Sequence, residues 1–147
     1  MTRFVDTVHD KLEFKFKKNA SYDLDNESIY NNLKKVSGSF FYQKEMTNIF
    51  ITAMAIGFLR NNPIAIKSPS NSIPTAVFTK QEKWMMIAVY MATKRAKVDA
   101  LYEPDDILKT SEEFANGGIK YVDLIYKGGS FDDPLEQLEH EFRALLI

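Results

Sequence analysis

Apolar residues recur at helical spacing along most of this chain, and the points where the spacing stops divide it into about six short helices. Ile29, Tyr30, Leu33 and Val36 form the first clear stripe, with Asp25 placed to cap it and Ser37, Gly38 and Ser39 to end it. Residues 44–59 are apolar on nearly every side and predict a buried helix, in which Ala53, Ala55 and Gly57 would let a second helix approach closely. Arg60, Asn61, Asn62 and Pro63 stop it, and 68–74, rich in serine and proline, reads as a surface loop. The next stripe, Trp84, Ile87, Ala88 and Met91, starts from a capping box formed by Thr79 and Glu82. It leaves Lys80, Lys83, Lys94, Arg95 and Lys97 on the outside or at the far end. Pro104 with Asp105 and Asp106 opens a further helix, and Pro134 with Asp133 and Glu136 opens the last. Between them, Gly117 and Gly118 are placed to end one helix before a short one over 119–126. Trp84 and Phe114 are expected in the core.

The first 25 residues fit two patterns. Phe4, Val5, Val8 and Leu12 suit an amphipathic helix, whereas Leu12, Phe14 and Phe16 alternate with Lys11, Glu13, Lys15 and Lys17 at the period of a strand. No second alternating run is obvious, so a strand here would pair with another chain. The expected architecture is a single domain over 1–147, mainly α, with about six short helices and either a helical or an extended, partner-pairing arm over 1–25.

Composition narrows the class. With 147 residues, 45% of them hydrophobic, the chain can bury a core without staples. The absence of cysteine removes disulfides and thiolate chemistry and suits a reducing cytoplasm. The most apolar run, 49–59, is too short to span a bilayer, and no secretory signal is visible, so the expected setting is cytoplasmic with no membrane partner.

Charge changes the picture more. Residues 1–97 carry 15 Lys+Arg against 8 Asp+Glu, a balance of +7, and residues 98–147 carry 4 against 12, a balance of −8; only their cancellation yields the −1 of the whole chain. A basic surface gathers phosphates or acidic proteins, and an acidic one repels them. Lys80, Lys83, Lys94, Arg95 and Lys97 are therefore candidate phosphate contacts, and Lys15, Lys17, Lys18, Lys34 and Lys35 extend the basic surface, although no reader motif orders them. Solvated helix faces account for the same charges.

Catalytic signatures are scarce. His9 has no neighbouring constellation. His140 lies one helical turn after Glu136, but a metal would need ligands from elsewhere, and no metal or cofactor is expected. The pairs Asp105–Asp106 and Glu112–Glu113 are explained by helix capping and solvation, since adjacent helical residues point about 100° apart. The glycine doublets lack the Lys-Ser or Lys-Thr of a phosphate loop. The chain is not expected to be an enzyme.

Two separated stretches, 44–59 (KEMTNIFITAMAIGFL) and 106–138, which holds ILKTSEEFANGGIKYVDLIY and DDPLEQL, resemble the DNA phosphorothioation-associated protein 4 family of small accessory proteins. Ala53, Ala55, Ile56 and Gly57 stand for its alanine-rich helix, and Glu113, Phe114, Ala115, Asn116, Gly117 and Gly118 for its later glutamate–aromatic–glycine segment. About half of the chain is covered, and the FKFKK segment has no counterpart. The resemblance implies a prokaryotic antiphage setting in which small helical subunits accompany larger ATPases or nucleases acting on DNA. The function expected is that of a noncatalytic accessory subunit docking on a larger protein of a defence complex, with contact to the DNA backbone through its basic part. Phe142, Leu145 and Leu146, on an apolar final helix among acids, are the candidate partner-binding residues, and the other reading of Phe142 and Leu145 is that they complete the chain's own core. The alternative is a free-standing DNA-binding regulator. Oligomeric state is left open.

Overall fold

A computed structural model describes residues 16–35, 39, 41–94, 104–126 and 143–144. Mainly helical, it holds four α-helices among the described residues: α1 (Glu27–Lys35), α2 (Met46–Leu59), α3 (Lys80–Lys94) and α4 (Pro104–Tyr126). Two short strands, β1 (Asn19–Ala20) and β2 (Ile73–Pro74), pair antiparallel with Ala20 opposite Ile73. The region preceding α1 therefore finds its described strand partner inside the chain, and Phe16 is buried with it; Leu12 and Phe14 lie outside the described residues. Thr75 secures the ribbon by donating its hydroxyl to the Lys17 carbonyl at 2.6 Å.

Two of the six expected helices are one, because α4 does not stop at Gly117–Gly118 but runs through them, and the last, opened by Pro134, lies outside the described residues except at 143–144. The doublet serves close packing instead of termination. A Cβ on Gly118 would strike the Ala53 carbonyl, one on Gly57 would strike the Phe114 carbonyl, and one on Gly117 would strike the carbonyl of Asn62. Glycine inside a helix costs about 1 kcal/mol relative to alanine, and here backbone-to-backbone packing of α2 against α4 offsets it. The approach anticipated from Ala53 and Gly57 is thus made, with α4 as the second helix. Ile49, Phe50, Met54 and Ile56 of α2 meet Ile107, Leu108, Phe114 and Ile119 of α4 in the core.

Helix α3 turns about one residue from the expected stripe. Lys83, Met86, Ile87 and Tyr90, spaced three, four and seven residues from the first, face inward, while Ala88 is exposed and Trp84 is half-buried against the core's rim. A lysine at the head of the buried row hid it, because its four-carbon stem packs as an apolar group. The capping box stands as expected: the Thr79 N–H donates to Glu82 Oε1 at 2.8 Å, and the Glu82 N–H donates to Thr79 Oγ1 at 3.1 Å. Pro104 opens α4 with Asp105 and Asp106 in its first turn. Ahead of α1, the cap is Asp23 and not Asp25; its Oδ1 accepts from the Asp25 N–H at 3.1 Å, starting a 3₁₀ turn (Leu24–Asn26) that runs into the helix.

Candidate functional site

Asp23 also fixes the wall of a cleft. Its Oδ2 accepts from the Lys67 N–H at 2.9 Å, a bond that holds the carboxyl below the usual carboxylate range, and Leu24 N–H donates to the Ser68 carbonyl at 2.8 Å. The 68–74 loop lies largely at the surface, as expected, and is stitched along the 21–24 segment. Asn116 on α4 holds the stretch before it: its Nδ2 donates to the Ile64 and Ala65 carbonyls at 3.1 and 3.2 Å, and its Oδ1 accepts from Asn26 at 2.8 Å.

Between this loop, the β1 segment and α4 lies a cleft of about 360 Å³. Lys109, Glu112 and Glu113, at three- and four-residue spacing, bring one face of α4 into it, and Lys17, Ser21 and Asn71 line it from the other elements. Ser21 is buried. Its hydroxyl donates to Asn71 Oδ1 and accepts from the Asn71 N–H, both at 2.9 Å, and its own N–H donates to Glu112 Oε2 at 2.6 Å. Asn71 adopts φ of 50°, in the left-handed region that asparagine tolerates. Glu112 is half-buried; burial pushes its carboxyl up to about 7, against the lowering effect of the Ser21 N–H and the Lys17 charge. Glu112 was expected to be a solvated helix charge. It is a carboxylate poised near neutral pH in a cleft, a status visible only once Ser21 is brought beside it.

Chemically, the hydroxyl of Ser21 is engaged as both donor and acceptor, and Glu112 binds the Ser21 backbone and not its hydroxyl. The arrangement does not form a nucleophile–base pair. Among the described residues, no group of three or more His, Asp or Glu side chains is placed to hold a metal ion.

The predicted basic site is not brought together as one patch. Lys80 and Lys94 are exposed at opposite ends of α3, roughly 21 Å apart along its axis. Lys83 is 1% exposed, which corrects its assignment as a phosphate contact: a buried ammonium does not reach a backbone outside. Arg95 and Lys97 lie outside the described residues, as do Phe142, Leu145 and Leu146. Two lysines named only as an extension, Lys34 and Lys35, share a groove of about 420 Å³ with Asn31, Tyr42, Gln43 and Met46, beside the turn where α1 leads to α2. Tyr42 is 41% exposed there.

No helix among the described residues is long and apolar enough to cross a membrane. No family model, curated protein or solved structure matches this chain.

Proposed function

We propose that this chain is a noncatalytic accessory subunit of a prokaryotic DNA-modification or antiphage defence complex, acting in the cytoplasm by docking on a larger protein, with its basic side toward the DNA backbone. The observation that carries this reading is what the 113–118 segment does. The Glu113 carbonyl accepts from the Ile64 N–H at 2.9 Å, Asn116 clamps residues 64 and 65, the Gly117 carbonyl accepts from Asn62 at 3.1 Å, and Gly118 packs on α2. The residues behind the family resemblance thus hold the scaffold together. A distinctive motif engaged in holding a scaffold suits a protein that binds rather than converts.

A second reading, a free-standing DNA-binding regulator, is favoured by the groove at Lys34, Lys35 and Tyr42, which offers two cations beside an exposed ring. A salt titration of DNA binding by the purified chain separates the two: a regulator keeps its affinity alone, whereas a subunit gains it only with its partner. Copurification from the native host, with the bound protein identified, supports the first reading if a DNA-acting ATPase or nuclease is recovered and refutes it if the chain comes out alone. Deleting residues 142–147 and following both partner capture and melting temperature tests Phe142, Leu145 and Leu146 as the docking residues. Lost capture in a chain that still melts cooperatively at the same temperature supports that role, and a collapsed fold assigns them to the chain's own packing.

A further inference from the structure

The cleft beside Glu112 is lined by two lysines and two glutamates, and Lys17 acts on the Glu112 charge without a direct ion pair to it. Among the described residues Lys17, Lys109, Glu112 and Glu113 form no ion pair, and the Glu112 oxygen not held by Ser21, Oε1, takes no hydrogen bond. Here the i, i+3 and i+4 spacing on α4 sets Lys109 beside the two glutamates, and Lys17 approaches from the β1 side, near enough to act on the Glu112 charge.

We propose that this cleft binds a small zwitterion of the α-amino-acid type, with its ammonium at Glu112 and Glu113, its carboxylate toward Lys17 and Lys109, and an aliphatic side chain on the wall of Ala65, Ile66 and Pro69. A ligand of one sign meets repulsion from two of the four charged side chains, whereas a ligand carrying both signs can engage both kinds together. The cleft's size falls within the range of small-molecule sites, and Ala65, Ile66 and Pro69 make part of its wall apolar. The anionic end is already ordered: Ser21 is held from both sides by Asn71 and in turn fixes Glu112 Oε2, so little side-chain freedom is lost on binding. An arriving ammonium favours the ionised form of Glu112, so binding should strengthen as pH rises through about 7 and should release protons below that. The inference is independent of the docking role proposed above.

Titration calorimetry of the full chain at pH 8 tests it, with L-leucine as the probe against 4-methylpentanoate, which lacks the ammonium, and 3-methylbutylamine, which lacks the carboxylate. Leucine is expected to bind at least about tenfold more tightly than either analogue, a difference of about 1.4 kcal/mol. Lys109→Met, at an exposed position, and Glu112→Gln should each weaken leucine binding by about tenfold or more. Should Glu112→Gln fail to fold, Lys109→Met decides the matter alone. Absence of leucine binding, equal binding by either analogue, or a Lys109→Met variant that binds leucine as tightly as the parent overturns the proposal.

Discussion

Ser21 and Glu112, separated by 91 positions in the chain, meet through a 2.6 Å hydrogen bond from the Ser21 N–H to Glu112 Oε2. The bond ties the segment ahead of α1 to the middle of α4. It also holds a carboxyl in a place where burial opposes its charge.

This sets the sign of a pH effect. The folded-state value of Glu112 is raised to about 7 from an ordinary 4.5, so the folded chain retains a proton that the unfolded chain gives up. Stability from this group is fully present below about pH 4.5 and is lost as pH climbs to 7, reaching a penalty of roughly 3 kcal/mol at pH 8. Glu112→Gln, whose amide oxygen can still accept from Ser21, should flatten that decline and raise stability at pH 8. Urea unfolding of both proteins at pH 5 and pH 8 checks it; an equal pH dependence in both would show that Glu112 ionises at no cost.

Phe114 and Trp84 should differ. Phe114 is buried and meets Phe58 edge-on at 5.6 Å, so truncation to Ala should cost about 3 to 5 kcal/mol. Trp84 only covers the rim of the core, and its buried indole N–H has no hydrogen-bond partner among the described residues. Trp84→Ala should therefore cost about 1 to 2 kcal/mol. Chemical denaturation of the two variants gives the comparison, and a larger loss at Trp84 would contradict the described packing.

Gly57→Ala isolates the helix seam. Propensity alone predicts a gain of about 1 kcal/mol, while collision with the Phe114 carbonyl predicts a loss of about 1 to 3 kcal/mol or more. The expected result is a lower denaturation midpoint. A stabilised variant would mean that α2 and α4 stand farther apart.

Nucleic-acid contact, if carried by the α1 corner, should be lost with Lys34→Gln and Lys35→Gln together. Removing both should reduce the slope of log affinity against log salt by up to about 0.9 per duplex phosphate contact. Lys83→Gln should leave that slope unchanged and lower the melting temperature, because its side chain is buried. A slope that responds to Lys83 and not to the pair would return the site to α3.

The capping box at Thr79 and the proline start of α4 were legible in the sequence because both are local: residues three apart satisfy one another before any tertiary contact forms. The buried row of α3 was misplaced by one residue because it begins with Lys83, whose charge disguises an apolar stem. Gly117 and Gly118 resemble a helix stop, and only the neighbouring carbonyls of Ala53 and Asn62 reveal a contact surface. The cleft was least legible of all. Lys17 and Ser21, Asn71, and Glu112 come from three distant stretches, none of which carries a motif, and their shared chemistry exists only after the loop is stitched down.

Asn116 grips residues 64 and 65 through their carbonyl oxygens, groups that every amino acid supplies. Ile64 is anchored again through its N–H, while the side chains of Ala65 and Ile66 line the cleft. The loop's course is thereby uncoupled from the identity of what it displays. Substitutions at 65 and 66 can therefore reshape the cleft's apolar wall while the clamp, which engages only backbone atoms of residues 64 and 65, stays as it is.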